Sequence, residues 1–458
     1  SINYTSRFSM GNDIADINND LLPDIMVLDM LPEDEKVLKS SAGEDSYEIY
    51  KMKLDFGFNK QFTKNTFQLN NGNNTFSEIS QMLGVHATDW SWSTLIEDFD
   101  LDGNNDIYIT NGIVKRPNDM DYISFLSNEK LRDGLIQNPN LENKDLVKQM
   151  PDGRVSNYAF KNSSNLKFTD VSNEWGLDFF GFSNGATYDD LDNDGDQDLI
   201  VNNINDKSII YKNTISNDEG LNFLKINFNG SQSNKFGIGA KVTIWYKDKS
   251  AYKENFINKG FLSSKSSGLI FGVSESLIID SLMVIWPNKK TQTLYSLDAN
   301  NTIVLNEKDA ISEYKIINFS TQFFTDLNHK NLIQYTHMEN VFNDFNRERL
   351  IPYMLSKEGP ALASGDVDND GDLDLFIGSP SFQKSKIFLS NDKRFASSVN
   401  IDIENDSISE DVDALFFDID NDNDLDLYVV SAGNEFSENS KSLRDRLYIN
   451  QNGNFYKK

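Results

Sequence analysis

The chain of 458 residues has no cysteine, three histidines and nine prolines, and no apolar stretch nears the roughly 18 residues that a membrane-crossing helix needs. The missing cysteine excludes disulfides, thiolate metal sites and a cysteine nucleophile. His86, His329 and His337 are the whole stock of imidazoles for acid–base work. A Gly-rich phosphate loop, a His-Glu-x-x-His pair and a Gly-x-Ser-x-Gly elbow are all absent. Positive charge is short as well: 43 Lys and Arg stand against 71 Asp and Glu, giving a net charge of −28 and a pI near 4.4. Such a balance repels nucleic acid and anionic membrane surfaces.

The acid is patterned. Five copies of Asp-x-[Asp/Asn]-x-Asp-x-x-x-Asp run through the chain, each followed by an apolar, β-branched run. Positions 1, 3, 5 and 9 are Asp16, Asn18, Asp20 and Asp24 in the first copy and Asp98, Asp100, Asp102 and Asp106 in the second. In the third they are Asp190, Asp192, Asp194 and Asp198. The fourth has Asp366, Asp368, Asp370 and Asp374, and the fifth Asp418, Asp420, Asp422 and Asp426. Position 7 would offer its backbone carbonyl: Leu22, Asn104, Asp196, Asp372 and Asp424. Calcium takes about six to eight oxygens, and alternate side chains of a tight loop converge to supply them. Position 6 must turn sharply, which suits Gly103, Gly195 and Gly371, and next best Asn423. Leu21 fits poorly there and Asn18 replaces an acid, so the site at Asp16 is expected to be the weakest of about five Ca2+ sites. An EF-hand would carry Glu at position 12 between helices; here that residue is Val27, Ile109, Val201, Ile377 or Val429, within a strand-like run. Magnesium, which keeps its waters, is not expected. Five filled sites would return ten positive charges to the chain.

Between the loops recur hairpin-like segments with polar turns: FQLNNGNNTF (67–76), YAFKNSSNLKF (158–168), IFLSNDKRF (387–395) and LYINQNGNF (447–455). The near-constant step from each hairpin to the next loop predicts a unit of hairpin, connector, loop and strand. That matches the four short strands of a β-propeller blade. Residues 30–60 and 114–150 read as partly helical insertions on one face of the repeats, which is often the binding face. Phe223–Glu307 reads as a separate β module that could be deleted without unfolding the rest. The expected organisation is blades over 1–222, a β-rich module over 223–308, and further blades over 309–458.

DLDNDGDQDL and DVDNDGDLDL, with the strands that follow, resemble the FG-GAP/VCBS repeats of integrin-α-type propellers. Gly237-Ile-Gly-Ala240, Gly260-Phe261-Leu-Ser263, Phe271-Gly272 and Trp286-Pro287 resemble, in order, the signature of the ASPIC/UnbV domain. HATDWSWS (86–93), FSNGATYDDLDNDGD (182–196), HMENVFNDFNRERLIPY (337–353) and KEGPALASGDVDNDGD (357–372) resemble large surface VCBS-repeat proteins of Bacteroidetes, often lipoproteins. The resemblance implies an all-β fold, a calcium-binding β-propeller with an inserted β-rich module and short helical insertions. It also implies an exported, outer-membrane-attached location and no defined enzymatic activity. Millimolar calcium outside the cytoplasm agrees with that location. The abrupt start at Ser1 reads as a piece of a longer precursor with its export signal upstream.

Function narrows to three classes. The first is a non-enzymatic cell-surface propeller binding a protein, glycan or nutrient, as accessory to an outer-membrane transporter complex. The second is a structural or adhesive scaffold, and the third a polysaccharide-acting enzyme. The third needs carboxylates that the calcium spacing has not already taken. His337 with Glu339, Asp344, Arg347 and Glu348 reads as an ion-pair network. Trp90 and Trp92 would share one strand face, either on a ligand or, more simply, between blades. Trp245 and Trp286 are expected in the module core.

Overall fold

The computed structural model describes residues 2–43, 45–127, 147–164, 166–217, 220–314, 333–391 and 394–458. The expected helical insertion at 114–150 lies partly, and His329 wholly, outside them. The chain divides into two compact units, Ser1–Ile317 and Asn318–Lys458. Both are dominated by strands, as the all-β reading requires.

Each Asp loop joins the first two strands of a small antiparallel sheet. The first unit holds three: Asn12–Ala15, Asp24–Val27, Thr66–Asn70 and Phe76–Glu78; Ser91–Glu97, Asp106–Asn111, Tyr158–Asn162 and Phe168–Asp170; and Ser183–Asp189, Asp198–Asn203 and Ile209–Tyr211. The second unit holds Leu362–Gly365, Asp374–Ile377, Lys386–Asn391 and Arg394–Ser398, then Glu410–Phe417, Asp426–Ala432, Arg446–Gln451 and Asn454–Lys457. The four complete sheets are meanders, with strands neighbouring in chain order, as in propeller blades. The loop-closing pair is the same five times: Ala15↔Asp24, Glu97↔Asp106, Asp189↔Asp198, Gly365↔Asp374 and Phe417↔Asp426. Position 9 thus opens the second strand in every sheet.

The expected phase of the repeat is wrong by half a unit. The hairpin belonging to a loop follows it, so 158–168 pairs with the loop at Asp98 and not with that at Asp190. Long connectors hid this, because the helical insertions fall between the second and third strands. Glu35–Ser40 and Tyr47–Asp55 lie in the connector 28–65, and Met120–Leu126 lies in 112–157. In a meander, that connection sits at the end opposite the Asp loops.

Within each unit, sheets stack face to face. Met26 and Phe67 of the first sheet meet Ile96, Ile107, Ile109 and Phe160 of the second. The other face of the second sheet, with Leu95, Tyr108 and Ala159, meets Ala186, Tyr188, Leu199 and Val201 of the third. Two-residue alternation makes this possible, because a strand such as Asp106–Asn111 is apolar on both faces. In the second unit Phe376 and Ile387 meet Phe416, Leu427, Val429 and Tyr448.

The β module has its own core, built on Leu224, Ile244, Leu282, Val284 and Trp286 between a three-stranded and a five-stranded sheet. Trp245 is not in it: Ile244 and Tyr246 point inward, and strand alternation sends Trp245 to the other face, half-buried.

The module is also not the free-standing insertion expected. Its segment 253–266 runs along the first strands of all three sheets of the first unit. Lys253 pairs with Glu97, and Lys259 Nζ with Asp13 at 2.7 Å. The Phe261 amide donates to Ser93 Oγ (3.1 Å), and its ring sits 5.0 Å from that of Trp92. Thr187 Oγ1 donates to Ser264 O (3.0 Å), and Ser266 donates twice to Asp189 (3.0 and 2.8 Å). Removing Phe223–Glu307 would therefore take away the cations that pair with Asp13 and Glu97 and uncover the Trp92 ring on which Phe261 packs.

Gly260 is the tightest point of this passage. Its φ is +58°, and a Cβ there would collide with Ser93 Oγ. Gly176, at φ +68°, has nothing within 4 Å of its Cβ position. Gly176→Ala is expected to cost about 1–2 kcal/mol, the strain of a left-handed alanine alone. Gly260→Ala should cost about 1–3 kcal/mol more. Denaturant unfolding of both variants checks this, and equal losses would show that the segment tolerates displacement.

Candidate metal-binding loops

The five loops share one backbone. Positions 4 and 6 are both left-handed in every copy: Asn19 and Leu21, Leu101 and Gly103, Asn193 and Gly195, Asn369 and Gly371, Asn421 and Asn423. Leu21 adopts φ +70° despite its side chain, so the first loop keeps the common shape. Position 4 was missed in the sequence, although an asparagine recurs there in four copies.

The position-1 carboxylate gathers the amides of positions 5 and 6 in four loops, and in the second, at Asp98, that of position 6. Asp16 accepts from Asp20 N (3.1 Å) and Leu21 N (2.7 Å), and Asp366 from Asp370 N (3.1 Å) and Gly371 N (2.9 Å). The position-5 carboxylate takes the amide of position 7 in all five loops, for example Asn104 N to Asp102 Oδ1 at 2.8 Å. These bonds turn the side chains of positions 1, 3 and 5 inward.

Position 9 does something different. One oxygen of Asp24, Asp106, Asp198, Asp374 and Asp426 accepts the amide of position 2, at 2.9–3.1 Å. The other accepts an amide at the end of the third strand or just beyond it: Asn70, Asn162, Asn213, Ser390 or Asn450, at 2.8–2.9 Å. Three of these asparagines then link neighbouring sheets. Asn162 Nδ2 donates to Ile17 O (2.9 Å), Asn213 Nδ2 to Phe99 O (2.8 Å) and Asn450 Nδ2 to Val367 O (2.7 Å), each a position-2 carbonyl of the preceding loop. Their recurrence before the hairpin turn is visible in the sequence but reads there only as turn chemistry.

Among the described residues, four groups bring three carboxylates within 4.8 Å of one another: Asp98, Asp100 and Asp106; Asp190, Asp192 and Asp194; Asp366, Asp368 and Asp374; and Asp418, Asp420 and Asp426. The first loop, with Asn18, is not among them. In the third loop, Asp194 rather than Asp198 completes the group. Among the position-7 side chains, Asp196 accepts from Ser216 N (3.0 Å) and Asp424 from Asn452 N (3.3 Å).

The crowding shows in the acidities. Burial first, then neighbouring carboxylates, pushes Asp98 and Asp106 well above the usual carboxylate range. Burial also lifts Asp16 to about 7, and Asp24 and Asp196 to about 6. Asp368 and Asp420 are raised by the same two causes. Oδ1 of Asp98, Asp196 and Asp424 is buried without a hydrogen-bond partner. A hard divalent cation suits such crowded carboxylates: it would be held by positions 1, 3, 5 and 9, where Asp98 Oδ1 has no other partner, and it would supply the charge that the loops lack.

The other candidates resolve differently. His337 Nε2 lies 2.6 Å from Glu339 Oε1, but Asp344 bonds Ser356 and Arg347 bonds the carbonyls of Asn434 and Phe436, so the expected five-residue network does not form. In its place stands an acid missed in the sequence. Glu410 is fully buried, takes Ser381 N at 3.2 Å, and leaves Oε1 without a partner. Burial, and after it Glu339 and Glu435, lifts its carboxyl to about 8. His86 is held below the usual imidazole range by burial and then by Lys64, as suits a packed residue. Trp92 donates Nε1 to Gly112 O (2.7 Å) and packs on Phe261; Trp90 is half-buried.

Residues 230–312 match the ASPIC and UnbV family, and residues 366–429 match the FG-GAP-like repeat, from position 1 of the fourth loop to the strand after the fifth. No curated protein matches the chain. The chain therefore carries an ASPIC/UnbV domain and an FG-GAP-like repeat. Both families are generally non-catalytic.

Positions 3 and 9 should separate in their effects. Asp374→Ala orphans two buried amides at about 1–3 kcal/mol each, so it should lower the melting temperature in EDTA and in calcium alike. Asp368→Asn relieves repulsion, so it should raise the melting temperature in EDTA and lower it in calcium. Thermal scans in both buffers decide. Glu410 gives a pH test. Its folded-state pKa lies above the ordinary glutamate value, so its favourable contribution is complete below that value. It is lost as pH rises toward and through about 8. Glu410→Gln should therefore melt higher than wild type at pH 9 and alike at pH 4.

Proposed function

We propose that this chain is a non-enzymatic, calcium-stabilised β-propeller-type protein of the cell surface, which binds a protein, glycan or nutrient partner as accessory to an outer-membrane uptake complex. The observation that carries the calcium reading is the fivefold recurrence of one loop geometry, which in four loops brings three carboxylates within 4.8 Å of one another. Clustered like charges cost folding energy until a cation neutralises them, so metal binding becomes folding energy.

Two features support a binding role. The matched families fit a β-rich, adhesion-type protein better than a catalyst. The helical insertions lie at the sheet ends opposite the loops, and one of them exposes Ile49, Met52, Phe56 and Phe58. Apolar surface of this kind on an insertion is a feature of partner-binding faces.

Thermal unfolding in millimolar calcium, in magnesium and in EDTA, with bound metal counted by native mass spectrometry, tests the first part. The expected result is four or five calcium ions and a large loss of stability in EDTA that magnesium does not restore. No bound calcium and no shift would overturn it. For the second part, Phe56→Ser with Phe58→Ser should abolish cross-linking to outer-membrane proteins while leaving the melting temperature in calcium within a few degrees.

A further inference from the structure

The loops differ in what stands beside them on the third strand. In the second sheet the residue before the linking asparagine is Lys161, and its ammonium pairs with Asp100 and lies 3.3 Å from Asp102 Oδ2. In the third sheet the residue before Asn213 is Lys212, which pairs with Asp192 and lies 3.8 Å from Asp194 Oδ2. Both lysines thus bridge positions 3 and 5. The third loop has a second cation, Lys225, 2.6 Å from Asp190 Oδ2. The corresponding residues of the fourth and fifth sheets are Leu389 and Ile449. Among the described residues, no ion pair reaches Asp368, Asp370, Asp420 or Asp422.

We propose that Lys161 and Lys212 are built-in counter-cations that divide the last four acidic loops into two classes: the second and third loops, neutralised by lysine, which keep their order without metal, and the fourth and fifth loops, whose order is set by calcium. This rests on the calcium reading of the loops and specifies which of them respond.

An ammonium carries one charge where calcium carries two, and it cannot replace six to eight oxygen contacts. It removes part of the carboxylate repulsion, so the metal-free loop is less strained. It also repels an arriving divalent ion, so the same loop gains less from binding. The buried, unpartnered Oδ1 of Asp98 remains in the second loop, so lysine neutralises the site without filling it.

Hydrogen–deuterium exchange of the whole chain, read by mass spectrometry across a series of free calcium concentrations, separates the loops. Peptides covering 98–106 and 190–198 should exchange slowly in EDTA, and those covering 366–374 and 418–426 rapidly. Only the latter pair should gain strong protection as calcium rises. Lys161→Met should make 98–106 exchange rapidly in EDTA and gain strong protection as calcium rises, as the fourth and fifth loops do; Lys161→Arg should restore wild-type behaviour. Lys212→Met, at a more exposed site that also keeps Lys225, should act in the same direction more weakly, and it serves if Lys161→Met fails to fold. A uniform response of all four loops, or lysine variants without effect, would overturn the two classes and leave the calcium reading standing. Calcium-independent exchange in every loop would overturn both.

Discussion

Everything else in these sheets depends on the aspartate at position 9. Asp24, Asp106, Asp198, Asp374 and Asp426 are all at most 2 % exposed, and each spends both oxygens on backbone amides from two other segments. A buried carboxylate is tolerable only when it is so satisfied. The result is a rivet through three pieces of chain: the loop entry, the second strand and the far end of the third. The width of the sheet, its register and the loop conformation are thereby set together. The asparagine beside the rivet then reaches the preceding loop, so in three places one polar cluster also spaces neighbouring sheets. Metal affinity comes second. The repeated acid is first a way of building a sheet, and only then a way of binding a cation.

That construction creates a problem of its own. Fixing position 9 brings positions 1, 3 and 5 close together, and their charges repel. Proton, lysine and calcium are three remedies, and the loops differ in which they have at hand. Asp16, lifted to about 7, binds a proton readily. The second and third loops have ammonium groups. The fourth and fifth have aliphatic residues in the same place, and among the described residues no ion pair reaches their raised position-3 carboxylates. A shared backbone therefore does not imply shared energetics.

The sequence was most legible where one physical cause acted locally. A continuous apolar, β-branched run after each loop marked the second strand, and asparagine or glycine turns marked the hairpins, because both signals lie within a few residues of what they determine. The phase of the repeat was not legible: connectors such as 28–65 and 112–157 make the wrong hairpin the nearer one in sequence. Leu21 was judged by its own conformational cost, which is about 1–2 kcal/mol. That is less than the combined pull of the Asp16 and Asp24 hydrogen bonds that hold the loop. Lys161 and Lys212 are single residues on another strand, and nothing local marks them. Glu410 escaped for the same reason, since its acidity depends on burial and then on Glu339 and Glu435, both distant in sequence.

The ASPIC/UnbV signature gains a physical meaning from where its parts fall. Trp286 lies in the core of the domain, and Gly237 makes a left-handed turn against Phe228. Ala240 and Phe271 lie in the same core, and Leu262 is exposed. Three other residues meet the sheets: Gly260 has no room for a Cβ against Ser93, Phe261 lies on Trp92, and Gly272 is pressed against Asp98 and Leu101 of the second loop. What these three determine is close fit. On this view the motif encodes attachment to a stack of Asp-loop sheets, and it should be strict where the domain is seated on such a stack.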